Sequence, residues 1–75
     1  MEKERMFPIK GYLKAELALM YHPEMTQAAA MGKMRRWINR SATLKERLQA
    51  VEVNKLNHRY TPKQVAILVD FFGEP

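Results

Sequence analysis

The sequence predicts a small, mainly α-helical domain of four helices, with either a short β-hairpin or a plain loop before the last helix. Three observations predict it. Apolar residues recur at helical spacing in four separate stretches. Residues that start or stop helices bracket those stretches: Thr26, Thr43 and Thr61 at entries, Pro23 and Gly73 at exits. Finally, a chain of 75 residues without cysteine makes one domain, in which only about 60% of the unfolded surface can leave water. A partner subunit is then the stabilising device most open to it.

Residues 1–5 read as a loose tail, and Met6 to Lys10, with Pro8 inside, as extended chain. Leu13, Leu17, Met20 and Tyr21 line one side of a first helix, roughly Leu13 to Tyr21, while Leu19 lies off that stripe. His22-Pro23 ends it. Thr26 then caps a central helix ending near Arg40 or Ser41, in which Ala30, Met31, Met34, Trp37 and Ile38 fall within about 60° of Met34 and form a core face. Gly32 costs this helix about 1 kcal/mol relative to alanine, which calls for the close approach of another backbone.

A third helix, about Thr43 to Ala50, can be capped by Ser41 or by Thr43, which stands at capping-box distance from Glu46. Leu44, Leu48 and Val51 give it an apolar step. From Ala50 to Tyr60, Val51 and Val53 alternate with polar neighbours and Asn54 to Asn57 can turn the chain, so a small hairpin and a loop both fit. The last helix has the fullest set of signals: Thr61 as N-cap, Pro62 at its first position, Gln64 completing a capping box, Gly73 just past its end. Val65, Ile67, Leu68, Val69, Phe71 and Phe72 cover about 200° of it, twice the arc a surface helix needs. Part of that arc, Ile67 and Phe71, is expected to meet a second copy of the chain, unless the N-terminal segment folds over it.

The net charge of +5 is unevenly placed: residues 26–63 hold nine Lys and Arg against two Glu, a local +7, and the rest hold four cations against six acids, −2. Such concentration favours an anionic partner. No signal-like apolar run opens the chain and no membrane-length one follows, so it reads as a soluble cytoplasmic protein. Enzymatic chemistry finds no motif. His22 and His58, in a turn and a loop, have no nucleophile beside them, the carboxylates stand at no telling spacing, and the three glycines are isolated. Neither a metal nor a cofactor is expected.

The outer face of the central helix carries Ala28, Ala29 and Gly32, then Lys33, Arg36, Asn39 and Arg40, with Arg35 at the margin. A short turn followed by such a helix is the outline of a helix-turn-helix, whose second helix enters the major groove of duplex DNA. Arg35, Arg36 and Arg40 would address guanine edges or phosphates, and Asn39 adenine or phosphate. Lys45, Arg47, Lys55, Arg59 and Lys63 would extend the phosphate contacts. The function expected is thus non-enzymatic DNA binding by a homodimer. The alternative is a protein-interaction module whose apolar last helix and basic face dock an acidic protein partner.

Two resemblances accompany these residues. The segments YLKAELALMYHPEMT, MRRWINR and RYTPKQVAILVDFFGEP resemble, in order and spacing, a family of short uncharacterised proteins of gut Bacteroidales. The match rests on Lys14, Glu16 to Ala18, Tyr21 and Pro23, on Arg35 to Ile38, and on Thr61, Pro62, Gln64, Val65 and Gly73 to Pro75. It implies a fold and no chemistry. More loosely, ELALMY, the turn, MRRWIN and RYTPKQV are similar to excisionase and MerR-like helix-turn-helix domains. That resemblance implies DNA binding through Lys33, Arg36, Asn39 and Arg40.

Overall fold

A computed structural model of the chain describes residues 7–52 and 58–75. The elements follow in the order β1 (Tyr12–Leu13), α1 (Lys14–Tyr21), α2 (Gln27–Arg40), α3 (Ala42–Ala50), β2 (Arg59–Tyr60) and α4 (Pro62–Phe72). The four helices expected are present, and a two-stranded antiparallel pairing precedes the last. Its register sets Tyr12 opposite Tyr60 and Leu13 opposite Arg59, so the strand leading into α4 is matched from the start of the chain. Lys14 N donates to His58 O at 2.8 Å and extends the pairing into the first turn of α1. Val51 is the C-cap of α3; the remainder of the alternating stretch, residues 53–57, lies outside the described residues.

A side-chain oxygen satisfies one of the free N–H groups that open each of three helices. Thr26 Oγ1 accepts from Ala29 N at 3.2 Å. Ser41 Oγ accepts from Leu44 N at 3.1 Å, so Ser41 and not Thr43 caps α3. Ser41 N also donates to Ile38 O, which makes this one residue the end of α2 and the start of α3 and leaves Thr43 inside the first turn. The box on α4 is complete: Gln64 N donates to Thr61 Oγ1 at 3.2 Å and Thr61 N to Gln64 Oε1 at 3.0 Å. Gly73, at φ 83°, sends its N–H to Val69 O at 2.8 Å, a left-handed stop that a side chain would strain. Thr61→Ala is expected to lower stability by about 1 kcal/mol, read as the shift of the urea midpoint at unchanged slope.

The core draws on every helix: Leu17 and Ala18 from α1, Ala30 and Met34 from α2, Leu44 and Leu48 from α3, Val65, Leu68 and Val69 from α4, with Tyr12 from β1. Met31, Trp37 and Ile38 pack against it, so the stripe read on α2 is its inward face. On α1 the expected stripe is corrected. Leu13 and Met20 are exposed, whereas Ala18 is buried and Leu19 packs on the core. Leu13 belongs to β1, where alternation turns Tyr12 inward and its neighbour outward. The fully inward arc of α1 runs from Leu17 through Tyr21 to Ala18, which leaves Met20 about 60° outside it on one side, while Leu19, beyond Ala18 on the other, is partly buried against the core.

Trp37 is the hub of an aromatic cluster joining α1, α2 and α4. Its ring centroid lies 4.6 Å from His22, 5.0 Å from Phe72 and 6.4 Å from Tyr21. The Tyr21 hydroxyl donates to Gly73 O and fastens the end of α4 to α1. Burial, aided by the Glu74 carboxylate, pushes that phenol up to about 12. His22, read as a turn or surface residue, is in the turn but buried beside Trp37, and its Nε2 has no hydrogen-bond partner. The described part of the N-terminal segment stacks Phe7 on Tyr12 at 5.1 Å, and Phe71 stays 39% exposed.

Candidate nucleic-acid interface

The turn of residues 22–26 sets α2 against α1, and the burial of Ala30, Met34 and Leu17 fixes which side of α2 faces out. Arg35, Arg36, Asn39 and Arg40 are all exposed on that outer side. Among the described residues, none of Arg35, Arg36 and Arg40 has a carboxylate partner within 4 Å; the ion pair found there is Arg47 with Asp70. Lys33 is half-buried, its ammonium 6.0 Å from the Trp37 ring centroid. The expected backbone approach at Gly32 is not found among the described residues. A Cβ there would meet only the Arg36 guanidinium, at 3.7 Å. The first half of the outer face, Ala28, Ala29 and Gly32, is therefore a shallow stretch of small side chains leading to the cations.

The more distant cations divide. Lys45 and Arg47 are two residues apart on α3, hence about 160° apart around it. Lys45 is exposed on the side of Arg35 and Asn39, whereas Arg47 turns toward α4, its guanidinium 5.3 Å from the Phe71 ring centroid and 3.9 Å from Asp70. Arg47 thus serves the seam between α3 and α4. Arg59 is exposed in β2, Lys63 is exposed in the first turn of α4, and Lys55 lies outside the described residues. Of the residues assigned to a second-copy contact, Ile67 packs partly on the core and Phe71 stands open beside Arg47.

Each edge of the basic face adjoins a concavity. On the edge of Lys33, Trp37 and Arg40 a shallow depression is bounded by Phe71 and Phe72. On the edge of Arg35 and Asn39 a deeper cleft reaches Lys14, Lys45 and Tyr60. Lys14 and Tyr60 were not among the site residues expected from the sequence. They enter through the pairing of β1 with β2, which leaves no local signal. Among the described residues no group of three His, Asp or Glu gathers, and no helix is long and apolar enough to cross a membrane.

A small, mainly helical domain with a one-sided cationic helix is the class these features define. Residues 8–75 match the family described as Domain of unknown function (DUF4248), and the chain belongs to that family. No curated protein and no solved structure matches it.

Proposed function

We propose that the domain is a non-enzymatic DNA-binding module of helix-turn-helix type, acting as a homodimer in the cytoplasm. One observation carries the reading: the outer face of α2 holds three exposed arginines and an asparagine with no carboxylate of the described chain to neutralise them. Arginine complements the C-terminal end of a helix dipole, but that accounts for Arg40 in the last turn and not for Arg35 and Arg36 a turn earlier. In the mechanism, phosphates are drawn by the α2 cations and Lys45, counterions are released, and the small residues Ala28, Ala29 and Gly32 let the helix sit close to the groove. Asn39, between the cations, is the side chain best suited to a base edge. Anisotropy titration of labelled mixed-sequence duplex at two salt concentrations tests this, with micromolar or tighter binding at low salt expected and no association there rejecting it.

The dimer rests on α4. Phe71 is among the few large apolar side chains left exposed, next to the depression formed by Trp37, Arg40 and Phe72. Light scattering at high micromolar concentration is expected to give twice the 8.8 kDa chain mass, and Phe71→Glu to return a folded monomer. A wild-type monomer at that concentration removes Ile67 and Phe71 from the interface.

A further inference from the structure

The cleft on the Arg35 edge is unlike the rest of the basic surface because it joins charge to an apolar floor. Its volume is about 290 Å³, and Met31, Met34, Ile38 and Leu48 form the floor where α2 and α3 diverge. This is near the lower end of the range for small-molecule sites, which pair an apolar lining with a few convergent polar groups. Among the described residues three cations stand around it, Lys14, Arg35 and Lys45, against one carboxylate, Glu52, a net charge of three minus one, +2. A solvated basic patch made only for phosphate needs no such floor.

The polar groups converge at one end. Tyr60 lines the cleft, positioned by its pairing with Tyr12, and the Lys14 ammonium lies 5.4 Å from its ring centroid. Arg35 is near enough for its guanidinium to oppose part of the rise that burial imposes on the Tyr60 phenol. The net direction is upward, so Tyr60 keeps its proton near neutral pH and can donate it in a hydrogen bond. Gln64 adds an amide whose Oε1 is committed to Thr61 N, so its NH2 end is the donor that remains. The site thus offers an ammonium, a guanidinium and a neutral O–H at one end and four apolar side chains below. A free phosphate would use the first and waste the second, while a neutral apolar molecule would do the reverse.

We propose that this cleft is a binding site for a small organic carboxylate with an apolar or aromatic body, its anionic end held by Lys14, Arg35 and Tyr60 and its body on Met31, Ile38 and Leu48. The site is separate from the DNA reading and does not depend on it, although Arg35 belongs to both surfaces. Guanidinium and carboxylate suit one another geometrically, and a charge-assisted hydrogen bond is stronger than a neutral one.

The test uses the full chain and two probes of nearly equal shape, naphthalene-2-carboxylate and its neutral carboxamide, followed by amide and methyl chemical shifts. The carboxylate is expected to give saturable shifts centred on Met31, Ile38, Leu48 and Tyr60, and the carboxamide to bind at least about tenfold more weakly. Arg35→Gln, at an exposed position, and Lys14→Gln, at a half-buried one, should each weaken the carboxylate by about tenfold with an unchanged circular dichroism spectrum. Equal affinity for the two probes, shifts centred instead on Trp37 and Phe72, or unaltered binding in both variants would overturn the assignment. So would the absence of saturable shifts up to about 5 mM carboxylate. Since no DNA is present, none of these results bears on duplex binding.

Discussion

Replacing Arg36 and Arg40 together by glutamate is expected to abolish duplex binding while the domain remains folded. Both side chains are exposed and neither has a carboxylate partner among the described residues, so no ion pair there is broken. The change in charge is four units on one helix face. If Lys33, Arg35, Arg36, Arg40 and Lys45 each meet a phosphate, the logarithm of the binding constant should fall against the logarithm of salt with a slope of about −4.5. A fourfold rise in salt then weakens binding by a few hundredfold. Arg36→Gln with Arg40→Gln is the milder pair, because Glu in the last turn of α2 also opposes the helix dipole, at about 0.3 to 1 kcal/mol. This pair should flatten the slope by about 1.8, two contacts' worth, and lower affinity uniformly across sequences. An affinity that ignores both double variants would show that α2 does not touch the duplex. A slope near zero in the wild type would remove phosphate from the interaction altogether.

What could be read in the chain beforehand divides along one physical line, between local and distant determinants. Caps are local: Thr61, Gln64 and Gly73 act within a turn of themselves, and each stands where its residue type demanded. The inward stripe of α2 is also a property of a single rod. Ser41 over Thr43 was decided by something else, a junction so tight that α2 ends on the residue that opens α3. The misplacement of Leu13 and Met20 has the same origin. Tyr12 is drawn into β1 by Tyr60, from the far end of the sequence, and this rotates Leu13 outward and assigns the inward arc of α1 to Leu17, Ala18 and Tyr21. The candidate surface follows the same division. Arg36, Asn39 and Arg40 were visible as a helix face, whereas the separation of Lys45 from Arg47 depends on where Phe71 and Asp70 of α4 lie. Tyr60 acquires Lys14 and Arg35 as neighbours only once the strands pair.

Trp37→Ala is expected to be the most damaging single substitution on α2, even though Trp37 is only half-buried. Its ring meets His22 from the turn, Tyr21 from α1 and Phe72 from α4, so it joins all three segments to α2, beside the direct edge contact of Tyr21 with Phe72. Truncating a large aromatic in a core costs about 3 to 5 kcal/mol, and partial exposure places Trp37 at the lower end, about 3. A chain of 75 residues holds about 4 to 11 kcal/mol in all, so the loss consumes a large share of it. Trp37→Phe keeps a ring against His22 and Phe72 and should cost less than half as much, which separates lost packing from a general intolerance of change. Urea unfolding followed by circular dichroism reads both variants, because removing the sole tryptophan also removes its fluorescence. The comparison with Arg36→Gln, one residue earlier on the same helix, is the sharpest part. That change should move the midpoint by less than about 0.5 kcal/mol in equivalent stability. If instead Trp37→Ala costs under about 1 kcal/mol, α2 is not anchored by this flank. Its orientation, and with it the outward aim of Arg36 and Arg40, would then lack the support argued for it.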